Sequence, residues 1–188
     1  MTFKLVALCG NSGSGKDYIA DTYFVPNGYK KFPISTIGKV FLIGRGLTTH
    51  DDIFIKKTPR DRNLLQTELT ENGRNIYGKD VWIKSTLELL KILHLNFNID
   101  KFILPDVRFI NEFENIKQCG GKIYKIVSNH NSILLPEQQK HQSEQELDNI
   151  PLCMFDNIIY NIQNIQNIGD EMIPNLHEQM EKILSSLK

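Results

Sequence analysis

The residues best suited to chemistry lie near the start of the chain, in the stretch Gly10-Asn11-Ser12-Gly13-Ser14-Gly15-Lys16-Asp17. In loops of the pattern G-x-x-x-x-G-K-[ST], backbone N–H groups hold phosphates, the lysine reaches the β- and γ-phosphates, and a hydroxyl contacts Mg²⁺. The stretch meets this pattern except at Asp17, which takes the place of the hydroxyl residue. A short apolar run precedes it and a helical pattern follows it. The sequence therefore predicts a nucleotide-binding loop, with a flexible Gly/Ser turn as the structural alternative.

A second group of functional residue types is Asp106, Arg108 and Glu112, which follow the apolar run 102–104. A carboxylate there can hold Mg²⁺ or its waters, and an arginine can neutralise charge on a phosphoryl group in transfer. The spacing equally suits a solvated strand end at which Arg108 and Glu112 cap the next helix. Pro105 cannot donate to a sheet ladder, so the strand is expected to end just before it or to bulge there.

Candidate strands and helices alternate along the chain. The strand candidates are 5–9, 29–34, 102–104, 122–127 and 154–160, and the helix candidates follow the loop and cover 36–47, 63–74, 81–95, 111–119 and 174–187. This alternation, with the predicted phosphate-binding loop after the first strand, predicts a three-layer α/β domain with a central parallel sheet, a P-loop NTPase type of fold. Ligands of such sheets bind at the carboxyl ends of the strands. The loop, Asp106 and Asn161 are therefore expected around one cleft.

Composition limits the classes of protein that the sequence can encode. With 188 residues, 40% of them hydrophobic, the chain suits a single domain over 1–188, and its zero net charge gives no reason to expect a polymeric nucleic acid as partner. The three cysteines are scattered, and no signal peptide or membrane-length apolar run occurs. We expect a cytoplasmic protein without a membrane partner. The polar segment 128–148 reads as a lid.

Seven short motifs resemble, in order and over most of the chain, those of the deoxynucleoside monophosphate kinases of bacteriophages and large viruses. They are Gly13-Ser14-Gly15-Lys16-Asp17, Thr58-Pro59-Arg60 with Leu64-Leu65-Gln66, Gly73-Arg74, Asp80-Val81-Trp82, Asp106-Val107-Arg108-Phe109-Ile110-Asn111-Glu112, Gly120-Gly121-Lys122 and His141-Gln142-Ser143-Glu144. In that family the loop ends in Gly-Lys-Asp, so the resemblance makes Asp17 a family feature. It implies a P-loop kinase that phosphorylates deoxynucleoside 5′-monophosphates with ATP and Mg²⁺, and often a homodimer.

The resemblance also implies roles for individual residues. The catalytic group would be Lys16, Asp17 and Arg108, and Asp17 and Asp106 would hold Mg²⁺. ATP would bind at Asn11, Ser12, Gly13, Ser14, Gly15, Lys16, Asp17 and Asn161. The deoxynucleotide would bind in a helical region over 35–100 through Arg60, Gln66, Arg74 and Trp82, together with Glu112.

Each of these acceptor roles has a structural alternative. Arg60 and Arg74 suit bidentate contact with a phosphate, yet both types are common on helix surfaces. Trp82 suits stacking on a base and equally suits a helical core, while Gln66 either reads a base edge or faces solvent. In the lid, Ser143 is three residues before Glu146, which is the spacing of a capping box.

Two other functions remain open at this point. A small-metabolite kinase of the phosphomevalonate kinase type shares a loop that ends in Gly-Lys-Asp, and a non-catalytic nucleotide-binding module needs only the loop. The pair Trp82 and Gln66, suited to a flat base, favours a nucleotide acceptor. The sequence lacks an Asn/Thr-Lys-x-Asp guanine-reading element, which counts against a GTPase switch.

Overall fold

The computed structural model describes residues 3–56, 58–129, 146–162, 167–168 and 171–187. The chain divides into two compact units, one made of Met1–Lys31 with Asp100–Lys188 and the other of Phe32–Ile99. Most of the predicted lid, including His141, Ser143 and Glu144, lies outside the described residues.

The first unit is built on a parallel sheet. Its strands are β1 (Lys4–Cys9), β2 (Lys30–Lys31), β3 (Lys101–Val107), β4 (Lys122–Ser128) and β5 (Asn157–Asn161). They lie in the order β2-β3-β1-β4-β5, and every pairing is parallel. This order places β1 at the centre of the sheet. Two short strands, β6 (Asn167–Ile168) and β7 (Glu171–Met172), pair antiparallel with each other.

The helices, in chain order, are α1 (Lys16–Ile19), α2 (Ser35–Gly44), α3 (Pro59–Leu64), α4 (Arg74–Tyr77), α5 (Val81–Phe97), α6 (Ile110–Gln118) and α7 (Leu176–Ser186). Wider π-helical turns cover Ala20–Phe24, Asp51–Lys56 and Leu65–Gly73, and short 3₁₀ turns cover Val25–Asn27, Glu146–Asn149 and Leu152–Met154. No helix among the described residues is long and apolar enough to cross a membrane.

Helices pack on both faces of the sheet. On one face, side chains of β1, β4 and β5 form a buried core with Ile19 and Phe24 of the first helical segment and with Met180 and Ile183 of α7. On the other face, Ile116 of α6 lies close to Gly121 and Leu5. Successive side chains of a strand point to opposite faces, so the two layers use alternate residues of β1. The predicted three-layer P-loop α/β fold is confirmed.

The central strands carry a bulge beside Pro105. Pairing between β1 and β3 runs in register from Lys4 to Ala7, which lies opposite Leu104, but Cys9 lies opposite Val107. β3 thus uses one more residue than β1 over this step. Because proline cannot donate to the ladder, the extra residue is accommodated where the ladder is already interrupted. Of the two outcomes expected at Pro105, the bulge is the one observed.

The second unit is helical and has a core of its own. Leu42 of α2, Ile53 and Leu69 are buried together, with partly buried apolar side chains around them. Gly38 of α2 permits this packing, because a Cβ atom there would collide with the Leu69 side chain. The helices expected over 36–47, 63–74 and 81–95 are all present, the second as α3 followed by a π-helical segment.

Candidate phosphate-binding site

The glycine-rich loop connects β1 to α1 in a conformation that needs its glycines. Gly10, Gly13 and Gly15 have φ angles of 149°, 85° and 91°, a region that side chains strongly disfavour. A Cβ atom on Gly10 would lie 2.7 Å from the Ile126 carbonyl oxygen, and one on Gly15 would collide with the Asn161 side-chain nitrogen. The loop therefore winds tightly against the ends of β4 and β5.

Lys16 turns back into this loop. Its Nζ donates to the carbonyl oxygens of Gly10 and Asn11, each at 2.7 Å, and lies 3.4 Å from Ser14 Oγ. Ser14 is buried, and its N–H donates to the Asn11 carbonyl at 3.1 Å. The ammonium group is thus held by the loop that the sequence predicts to bind phosphate. Of the other predicted loop residues, Asn11 and Gly13 are exposed and Ser12 is half-buried.

The surroundings of Lys16 disfavour its protonated, charged form. Burial and, to a smaller extent, repulsion from the Arg108 guanidinium lower the pKa of Lys16 to about 8, although Asp17 and Asp106 act in the opposite direction. These interactions bring four of the predicted site residues into one electrostatic neighbourhood. Because burial and a like charge both disfavour the protonated lysine, an anion in the loop would stabilise it.

Asp17 pairs with a lysine that sequence reasoning missed. Lys31, the last residue of β2, lies with its Nζ 2.8 Å from Asp17 Oδ1 and 2.8 Å from Asp21 Oδ2. The side chain of Asp17 is exposed. Lys31 could have been found from its position, since the carboxyl end of a strand in a parallel sheet is where ligand-binding residues gather.

The segment after β3 uses Glu112 to begin a helix. Glu112 is buried, and its Oε2 accepts hydrogen bonds from the N–H groups of Arg108 at 2.8 Å and Phe109 at 3.1 Å. These bonds satisfy donors just before the first turn of α6. They correspond to the capping role that the spacing allowed, and a substrate-binding role for Glu112 stays a prediction. Arg108 and Asp106 are both half-buried.

Asn161 lies beside the loop, as predicted. Its Nδ2 donates to the Ser14 carbonyl oxygen at 3.0 Å from the end of β5. The neighbouring residue Tyr160 is fixed by Gln179 of α7, whose side-chain amide exchanges two hydrogen bonds with the Tyr160 backbone, at 2.9 and 3.0 Å. Asn161 thus anchors the loop to an edge strand that α7 supports, and its contact with ATP stays a prediction.

The other four predicted acceptor residues belong to the helical unit. Arg60 is exposed, whereas Gln66, Arg74 and Trp82 are half-buried. Trp82 Nε1 donates to the Leu69 carbonyl oxygen at 2.8 Å. These positions leave the predicted phosphate and base contacts untested, and they show that Trp82 also has a packing role in the core of its unit.

The acidic residues of the site fit a hydrated Mg²⁺ ion. Mg²⁺ commonly binds through one or two carboxylates together with substrate phosphates, and it keeps several waters. Asp17 and Asp106 both interact electrostatically with Lys16, so two carboxylates border the same phosphate-binding loop. Within the described ranges, no group of three or more His, Cys, Asp and Glu side chains could hold a metal by itself.

Comparisons with known proteins add little to this geometry. No protein-family model matches the sequence, and no curated protein matches it. Among solved structures, the chain is similar to shikimate kinase from Bacteroides thetaiotaomicron, with 15% identity and a TM-score of 0.46 over 98% of this chain and 96% of that one. The sheet order and the glycine-rich loop define a P-loop α/β protein. Membership of the phage and viral deoxynucleoside monophosphate kinase family stays a prediction.

Proposed function

We propose that this protein is a kinase that transfers the γ-phosphoryl group of ATP to deoxynucleoside 5′-monophosphates. The observation that supports this most directly is the position of Lys16. Its ammonium lies inside a glycine-rich loop at the carboxyl end of the central strand, with Arg108 in electrostatic range. A polyanion is the ligand that this arrangement favours, because it compensates two cations that otherwise repel each other.

The reaction asks for charge compensation and alignment more than for covalent help from the protein. A phosphate oxygen of the acceptor forms a bond to the γ-phosphorus of ATP while the bond from that phosphorus to the β–γ bridging oxygen breaks, so ADP leaves. Lys16 would exchange its bonds to the Gly10 and Asn11 carbonyls for phosphate oxygens, and Arg108 would stabilise the charge on the group in transfer. Asp17 and Asp106 would hold Mg²⁺, and the bound ion would supply further neutralisation of the phosphate charge.

The acceptor would bind to the helical unit. Arg60 and Arg74 would hold the monophosphate, since the guanidinium fork suits bidentate contact with phosphate oxygens. Trp82 and Gln66 would contact the base. Glu112 would act indirectly, because its hydrogen bonds to the Arg108 and Phe109 N–H groups fix the backbone next to the Arg108 side chain.

An ADP-release assay tests this proposal. ATP and Mg²⁺ are supplied with each deoxynucleoside monophosphate, with phosphorylated small metabolites such as phosphomevalonate, or with no acceptor. ADP release that depends on a deoxynucleotide supports the proposal, and release only with a metabolite identifies the other kind of kinase. Binding of ATP without turnover on any acceptor would indicate a nucleotide-binding module.

A matched variant connects the assay to the loop. Lys16→Ala is expected to slow turnover by about 10²- to 10³-fold, as loss of one preorganised donor does. Its circular dichroism spectrum should match that of the wild type. A folded Lys16→Ala protein with wild-type turnover would exclude this loop as the phosphoryl-transfer site.

A further inference from the structure

The helical segment that follows the loop, formed by α1 and the π-helical turn Ala20–Phe24, has two flanks of different chemistry. One flank carries Asp17 and Asp21, whose carboxylates share the Lys31 ammonium at 2.8 Å. The other flank carries aromatic rings. Because Lys31 ends β2, whereas α7 follows β5, the two flanks face opposite edges of the sheet, in which β1 is central.

The aromatic flank is a short row of rings. Tyr18 meets Tyr23 edge-on, with ring centroids 6.4 Å apart and an interplanar angle of 86°. Tyr23 in turn lies against His177 of α7, with centroids 6.0 Å apart and the rings inclined by 44°. Tyr23 packs on the buried core of the sheet unit, and His177 Nε2 is 3.2 Å from Glu181 Oε1. The Tyr23 ring is therefore held by its neighbours.

Tyr18 is the exposed member of this row. It has 56% of its surface accessible, although it lies two residues after the phosphate-loop lysine. A large aromatic side chain that is exposed and supported edge-on by a second ring can offer a face to a ligand. The pKa of the Tyr23 hydroxyl is raised by burial and by the neighbouring Tyr18, which agrees with the close approach of the two side chains.

We propose that Tyr18 stacks on the nucleobase of the phosphoryl donor, with Tyr23 and His177 supporting its ring. The inference rests on the proposed function, since it needs a nucleoside triphosphate in the loop. In loops of this pattern the backbone cradles the α- and β-phosphates, so the ribose and base must extend past the loop along one flank of the helical segment. On one flank Lys31 already joins Asp17 and Asp21, and on the other an exposed ring is available. Stacking needs only the flat face of a base.

The test compares two ligands that differ in the nucleoside alone. Dissociation constants for ATP and for inorganic triphosphate are measured by calorimetry without any acceptor, in the wild type, Tyr18→Ala and Tyr18→Phe. If Tyr18 stacks on the base, Tyr18→Ala should weaken ATP binding by about 5- to 100-fold, the range typical of base–aromatic contacts, and leave the affinity for triphosphate unchanged. Tyr18→Phe keeps the ring and should bind both ligands like the wild type.

Tyr77→Ala is the matched control. Tyr77 is also 56% exposed and also meets another ring edge-on, Phe41 at 6.1 Å and 84°, but it belongs to the helical unit. Its loss should leave ATP affinity unchanged.

An equal loss of ATP and triphosphate affinity in Tyr18→Ala would mean that Tyr18 acts through the loop and would overturn the stacking. Wild-type ATP affinity in Tyr18→Ala would also overturn it while leaving the proposed function intact. A wild-type protein that binds neither ligand would overturn the proposed function itself.

Discussion

Replacing Lys16 with methionine should change how stability depends on pH. Burial and the Arg108 charge lower the pKa of Lys16 to about 8 in the folded protein, against 10.5 for an unperturbed lysine. Between these two values Lys16 binds more protons in the unfolded chain than in the folded one, so its contribution to the free energy of unfolding rises with pH. Below pH 8 both states are protonated and the cost of the buried charge is fully present. Lys16→Met has no such proton to lose.

The size of the effect follows from this shift. A shift of one pKa unit corresponds to about 1.4 kcal/mol. Between pH 7 and pH 9.5, the free energy of unfolding of the wild type should therefore rise by about 2 kcal/mol relative to that of Lys16→Met. Urea unfolding followed by far-ultraviolet circular dichroism at both pH values measures this difference, and the slopes against urea show whether both proteins unfold alike.

Lys182→Met serves as the control, because Lys182 is an exposed lysine of α7. The stability difference between Lys182→Met and the wild type should stay constant over the same pH range. If Lys16→Met and the wild type gave parallel pH profiles, the Lys16 ammonium would not be buried against the loop carbonyls. The reasoning that links its position to anion binding would then fail.

Three further predictions concern the rest of the site. Asn161→Ala should weaken the binding of ATP and of inorganic triphosphate equally, by about 2- to 10-fold as for one lost hydrogen bond. It should also partly relieve the collision created by Gly15→Ala, so the changes in unfolding free energy of the two single variants should not add up to that of the double variant. Additive values would contradict the contact between Asn161 and the loop. Asp17→Asn should raise the Mg²⁺ concentration that gives half-maximal rate and be partly rescued by more metal, whereas a new pH dependence without rescue would identify a base. Arg60→Lys and Arg74→Lys should each raise KM for the deoxynucleotide far more than KM for ATP, and equal effects on both substrates would argue against an acceptor role.

Much of the fold could be predicted because local patterns encode it. The apolar run of β1, the glycines after it and the helical periodicity of α5 each carry their own signal. The strand expected over 29–34 reduces to Lys30–Lys31. Its remaining residues include Pro33, which cannot donate to a ladder. The π-helical segments were not predicted, because the apolar spacing in the sequence was compared only with the 3.6-residue period of an α-helix.

The site was harder to predict where a residue has two suitable partners. Glu112 satisfies a helix-start pattern and a ligand pattern with the same spacing, and only its observed hydrogen bonds show that it caps α6. For Lys31, the position at a strand end indicates the site but does not identify a partner. Its pairing with Asp17 depends on where β2 and the helical segment meet in space, which the order of elements along the chain does not reveal. Trp82 is similar, since its indole hydrogen bond to Leu69 spans two helical segments.

The hydrogen bond from Asn161 to Ser14 joins positions 147 residues apart. During synthesis on the ribosome, the loop leaves the exit tunnel long before its anchor has been made. At typical translation rates this delay is on the order of 10 s. Ligands stabilise only the conformation that they bind. If ATP binds in the loop as proposed, it would therefore stabilise completed chains more than nascent ones, because the loop gains its Asn161 anchor only after β5 has been added.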